Sequence, residues 1–114
     1  MTRRRKGRRR VLKNLMVSCG EYFHWMDPDD EWTVGPFATE NDAAEYARRF
    51  VRAQIEHLRD QCVNAAAIES AYYGFQDYAW HPNVDHQAWV SYCAEHPATI
   101  AEQTDYDSLT PAKP

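Results

Sequence analysis

Cysteine and glycine are scarce in this chain, with three and four among 114 residues. Cys19, Cys62 and Cys93 are odd in number and widely separated, which excludes the disulfide framework of small secreted domains and points to a reducing compartment. So little glycine leaves no phosphate-cradling loop, and no nucleotide-binding motif is found. No run of about 18 apolar residues exists to cross a bilayer. The basic start is followed only by Val11 and Leu12 before Lys13 and Asn14, too short an apolar run for a secretory signal. The expected location is the cytoplasm, with no membrane partner. No internal repeat is visible either.

What the chain does have is apolar material, 44% hydrophobic and 13% aromatic residues, enough to fold one core of ordinary domain size. Its charge is divided. Arg3, Arg4, Arg5, Lys6, Arg8, Arg9, Arg10 and Lys13 account for eight of the 13 basic residues, and no acid lies among them. From Asn14 onward, five bases therefore face all 17 acids, a net charge of -12. Residues 1–10 read as a flexible Arg-rich arm, residues 11–104 as a single α+β domain, and residues 105–114 as a frayed tail.

Within the domain, Leu15 to Val17, Tyr22 to Met26 and Trp32 to Val34 are rich in aromatic and β-branched residues and read as strands, with Gly20 marking a turn or bulge. Asp27-Pro28-Asp29-Asp30 has hairpin-loop chemistry, which pairs Tyr22–Met26 with Glu31–Val34. Gly35-Pro36 ends the strand. Thr39 with Asp42 three residues on is a helix-capping signature, and Ala44, Ala47, Val51, Ile55, Leu58 and Cys62 then recur on one helical face. Glu45, Arg48, Arg49, Arg52, Glu56, Arg59 and Asp60 are placed on the opposite, solvated face. Residues 64–80 fit helix or strand. Asp85 caps a further helix expected to bury Trp89, Tyr92 and Cys93, and Thr99 with Glu102 repeats the capping pattern. The fold class is α+β: an N-terminal hairpin or small antiparallel sheet on a long helix, followed by two or three shorter helices.

The stretch WTVGPFATENDAAEYARRF, Trp32 to Phe50, resembles the strand, Gly-Pro-Phe turn and capped helix of SPOR-type peptidoglycan-binding domains. For these nineteen or so residues the resemblance implies ββα geometry and no ligand. A complete domain of that family would imply a second strand–helix half and an extracytoplasmic location.

Closely spaced guanidinium groups neutralise phosphates, so Arg3, Arg4, Arg5, Lys6, Arg8, Arg9, Arg10 and Lys13 are the candidate nucleic-acid contacts. Trp25, Asp27, Asp29, Asp30 and Trp32 form a candidate partner-binding loop, since clustered carboxylates compete with nucleic acid for a basic groove on another protein. His86, Cys93 and His96 would hold zinc if Cys62 or His81 completed the shell, but no paired CxxC or HxxxH frame supports them. No metal or cofactor is therefore expected, and no motif frames a catalytic cysteine. The expected function is a small non-enzymatic binding protein, of the kind that phages and mobile elements carry, engaging nucleic acid or a nucleoprotein. The alternative is an inhibitor or adaptor that blocks a host protein through its acidic, aromatic-rich surface.

Overall fold

A computed structural model describes residues 14–24, 27–109 and 111. Three strands, β1 (Val17–Glu21), β2 (Trp32–Val34) and β3 (Asp77–Trp80), combine with three helices, α1 (Glu40–Leu58), α2 (Ala65–Phe75) and α3 (His86–Glu95). Short 3₁₀ turns occupy Tyr22–His24, Pro28–Asp30, Arg59–Gln61 and Ala101–Thr104. The α+β class is as expected. The whole basic arm and Trp25 lie outside the described residues.

The sheet is antiparallel in the order β2-β1-β3, with β1 in the centre. The expected hairpin is corrected in register. β2 pairs with Val17–Glu21, placing Val17 opposite Val34 and Cys19 opposite Trp32. Tyr22 instead leaves the sheet in a 3₁₀ turn, and its ring packs against Tyr72, Tyr73 and Tyr78. Residues 64–80 prove to be helix and then strand. Asn64 starts α2 by accepting a 2.8 Å hydrogen bond from the Ala67 N–H, and β3 follows after Gln76.

Between β2 and α1, Gly35 has a φ of 131°, and a Cβ there would strike the Leu15 carbonyl, so the turn requires glycine. Thr39 caps α1 by accepting from the Asp42 N–H at 3.1 Å, and Glu40 and Asp42 complement the helix dipole. The strand, turn and capped helix over Trp32 to Phe50 are thus all present.

α1 is the spine of two apolar clusters. Its first half, with Ala43, Tyr46, Ala47 and Phe50, packs with Val17, Cys19, Phe37 and Ala79 under the sheet. Its second half, Val51, Ile55 and Leu58, meets Ile68 and Tyr72 of α2 and Val90, Cys93 and Ala94 of α3. Tyr106 and Leu109, in the segment read from sequence as a frayed tail, pack on the first cluster.

Three sequence assignments change. Arg52, placed on the solvated face, is only 4% exposed. α3 buries Val90, Cys93 and Ala94, while Tyr92 is exposed and Trp89 half-buried. The last turn is fastened by Gln103 rather than Glu102, since Gln103 Oε1 accepts from the Thr99 and Ile100 N–H groups at 2.6 and 3.2 Å. Among the described residues, no helix is long and apolar enough to cross a membrane.

Candidate functional site

In an antiparallel pair, residues directly opposite share a face. Val17, Cys19, Val34 and Ala79 face α1. Ser18, Gly20, Thr33, Tyr78 and Trp80 therefore form the other face of the sheet. Ser18 and Thr33 are exposed, Trp80 is 44% exposed, and the Tyr78 ring lies over Gly20, where any Cβ would collide with it. Small side chains thus line the middle of this face, and two aromatics line β3. At the Trp80 end, the next residue, His81, is fully buried. Its Nε2–H donates to the Asn14 carbonyl, and its Nδ1 accepts from the Asn83 N–H at 3.1 Å. Asn14 also donates from its side chain to Glu40 at 2.7 Å. The candidate contacts Arg3, Arg4, Arg5, Lys6, Arg8, Arg9, Arg10 and Lys13 lie outside the described residues, but the chain carrying them joins the domain at this pinned residue.

The acidic loop lies towards the other end of β1. Asp27 and Asp29 are exposed, and Asp30 is half-buried. Trp32, opposite Cys19 on an edge strand, is 40% exposed. His24 lies between two carboxylates, with Nδ1 2.9 Å from Glu21 Oε2 and 3.3 Å from Asp30 Oδ2. The Glu21 hydrogen bond, with the charges of Asp30 and Asp27, raises its pKa above the ordinary histidine value. Donor atoms of Glu21, His24 and Asp30 lie within 4.8 Å of one another and could share a metal ion. Sequence reasoning did not group these three, although Glu21 and His24 are three residues apart.

The structure does not bring His86, Cys93 and His96 together. The Tyr22 hydroxyl and His86 Nε2 share a hydrogen bond of 2.7 Å. His96 stacks on Tyr92 with ring centroids 4.3 Å apart. Cys93 is in the core, Cys62 is half-buried beside it, and His81 serves Asn14. Burial, helped by Asp77, pushes the Cys19 thiol up to about 12, and burial pushes Cys93 up to about 11. Neither forms a thiolate near neutral pH.

Burial also lowers the His86 pKa, against the opposing influence of the Ala79 backbone and Asp85. The folded state therefore favours neutral imidazole, while the unfolded chain takes up its proton near pH 6.5. Stability from this group should be present above about pH 6.5 and fall as the pH drops towards the lower, folded value. His24, with a raised pKa and an exposed ring, slopes weakly the other way. Urea midpoints at pH 5 and 7.5 should show less acid sensitivity in His86→Gln than in the parent; an unchanged difference would contradict this assignment.

The arginines of α1 and of the 3₁₀ turn that follows it serve the fold. Arg48 and Arg49 both reach Glu45, at 3.0 and 2.8 Å, and Arg59 reaches Glu56 at 2.7 Å and the carbonyls of Cys93 and Ala94. Arg52 donates to the His96 carbonyl at 2.8 Å and lies over the rings of Trp89 and Tyr92, at 5.1 and 5.7 Å from their centroids. Together they fasten α3 and the segment after it to α1.

No protein-family model matches the chain, and comparison with curated proteins and with solved structures gives no match. The functional reading therefore rests on the residues themselves.

Proposed function

We propose that the protein is a non-enzymatic cytoplasmic module that binds nucleic acid, or a nucleoprotein, through its Arg-rich N-terminal segment. The observation that carries this is the separation of charge: eight cations without an acid before Asn14, and a net charge of -12 after it. An anionic body repels phosphates everywhere except where the cationic segment is attached, so it directs the ligand to one end of the domain. The burial of Cys19 and Cys93 as protonated thiols supports binding over nucleophilic catalysis. The phage or mobile-element type of protein is the setting this reading suits.

The test is the full-length chain with Arg3, Arg4, Arg5, Arg8, Arg9 and Arg10 replaced by serine. Affinity for a labelled 20-mer should fall at least about tenfold at low salt, and the slope of log affinity against log salt should flatten by up to about 0.9 for each duplex phosphate that is no longer neutralised. Unchanged affinity and slope would reject the proposal.

One observation favours a second reading, that of an inhibitor or adaptor docking a host protein. Asp27, Asp29, Glu31 and Trp32 are exposed on one short segment, anionic and aromatic together. That reading requires a single protein to stay bound after nuclease treatment and to be released by Asp27→Asn with Trp32→Ala.

A further inference from the structure

We propose that a cavity of about 160 Å³ between α1, α3 and the last 3₁₀ turn is a binding site for a phosphate monoester. It is lined by Glu45, Arg48, Arg49, Arg52, Trp89 and Gln103, and it stands apart from the Arg-rich N-terminal segment and from the nucleic-acid reading.

The distribution of charge carries the first step. Of the five bases from Asn14 onward, four lie in the described residues, Arg48, Arg49, Arg52 and Arg59, and three of these line this one cavity. The lining holds a single carboxylate against them, Glu45, while Glu102 reaches Arg49 at 3.3 Å. The body as a whole repels an extended polyanion. Inside the cavity the sign is reversed, which favours a compact anion seated within it over a strand laid across the surface.

The second step is a buried cation without a counterion. Buried charges are ordinarily paired. Arg52 is 4% exposed and forms no ion pair among the described residues, where its one hydrogen bond runs from Nη1 to the His96 carbonyl. The nearby carboxylates are committed elsewhere: Glu56 accepts from Arg59 and the Ala98 N–H, and Glu45 from Arg48 and Arg49. The Trp89 and Tyr92 rings attract the Arg52 cation but do not neutralise it. Arg48 spends only its Nε, on Glu45, so its terminal nitrogens have no partner among the described residues. Two guanidinium groups with donors to spare on one cavity suit an oxyanion, which each fork can bind through two oxygens. Three guanidinium groups and one carboxylate leave the lining a surplus of two positive charges. A phosphate monoester, at about -1.5 to -2 near neutral pH, matches that surplus better than a carboxylate does.

The third step is the space next door. A wider cleft of about 420 Å³ shares Arg48 and Trp89 with the cavity and is walled further by Val84, Ala88 and Tyr92. Trp89 Nε1–H donates to the Arg48 carbonyl at 2.9 Å, which fixes the indole between the two spaces. The cleft's volume suits a small organic group, so the organic part of the ester lies there and the phosphate among the arginines. The one carboxylate on this cleft, Asp85, accepts from the Ala88 N–H, and its charge directs the phosphate end to the arginines.

The experiment is calorimetric titration with AMP, adenosine and inorganic phosphate, on the full-length protein and on the arginine-to-serine chain, whose N-terminal segment no longer competes for anions. AMP should bind one-to-one to both proteins, adenosine at least about tenfold more weakly, and inorganic phosphate more weakly than AMP because it leaves the cleft empty. Two variants in the arginine-to-serine chain test the lining. Gln103→Glu keeps the acceptor oxygen that holds Thr99 and Ile100 and adds a carboxylate to the cavity; Arg48→Gln removes a fork and leaves Arg52 in place. Each should weaken AMP binding at least about tenfold while circular dichroism shows the fold retained, and Arg48→Lys should recover only part. The proposal is overturned by loss of AMP binding in the arginine-to-serine chain, by equal affinity for adenosine and AMP, or by indifference to both lining variants. A dT strand with and without a 5′-phosphate identifies the source of the ester. A preference for the phosphorylated strand that Gln103→Glu abolishes assigns a strand terminus, and AMP binding without such a preference assigns a free monoester. The nucleic-acid reading stands or falls separately, on the arginine replacements and the labelled 20-mer.

Discussion

Replacing Tyr72 by alanine is expected to cost about 3–5 kcal/mol. Tyr72 has no exposed surface and is the largest fully buried side chain among the described residues. Its ring meets Tyr22 and Tyr73 edge-on, each with centroids 5.3 Å apart, and packs beside His86. It therefore joins three separate pieces of chain: α2, the 3₁₀ turn that ends β1, and the start of α3. Alanine would leave a cavity where all three meet, and the rigid neighbouring rings cannot collapse far enough to fill it. Because domains of this size are stable by only about 5–15 kcal/mol, the loss should be plain as a large drop in urea midpoint. Tyr72→Phe keeps the ring and gives up only a long, 3.4 Å contact of the hydroxyl with His86, so it should cost less than about 1 kcal/mol. A mild effect of alanine, or a severe one of phenylalanine, would contradict this packing account.

Arg52→Ala is expected to lower stability by about 2–4 kcal/mol, or roughly 10–20 °C in melting temperature. Three losses combine. The His96 carbonyl loses its donor, the Trp89 and Tyr92 rings lose the cation over them, and the aliphatic stem that fills the space between α1 and α3 disappears. Arg52→Met separates these contributions, because it keeps much of the stem and removes the charge and donor. It should recover part of the loss but not all. Full recovery would mean that Arg52 acts by volume alone; melting curves of the two variants, followed by circular dichroism, decide this.

The fate of Arg52 shows where sequence reasoning stops. Apolar periodicity marks the buried face of α1 correctly from Ala44 to Leu58, because that signal is local and needs only the helical repeat. The burial of a charged residue on the other side depends on Trp89, Tyr92 and His96, 37 to 44 residues further along the chain, supplying two rings and a carbonyl. Nothing near Arg52 in sequence announces that. The same limit explains the hairpin register. The strand at Trp32–Val34 and the loop at Asp27–Asp30 were legible, whereas the expected strand from Tyr22 begins as a 3₁₀ turn over Tyr22–His24, and β1 runs on to Glu21 and pairs with β2, with Tyr22 turned towards α2 and β3 on the far side of β1. Periodicity over 64–80 was ambiguous because the segment is both things in turn, with an Asn64 cap before the helix and alternation only across four residues of β3. Of the candidate surfaces, the loop acids were visible as a cluster, whereas the outer face of the sheet was not. Ser18, Gly20, Thr33, Tyr78 and Trp80 come from three distant places and become neighbours only through the strand register.

The central place of β1 also governs how the polypeptide matures. Its two hydrogen-bonding partners are made at very different moments of translation, β2 almost at once and β3 only after α1 and α2 have been synthesised. A nascent chain must therefore carry β1 half-paired, with one open row of backbone donors and acceptors, until Trp80 has emerged from the ribosome. Closing that late, long-range pairing carries a loop-entropy cost which the local helices do not bear, so helix formation should precede completion of the sheet in every round of folding.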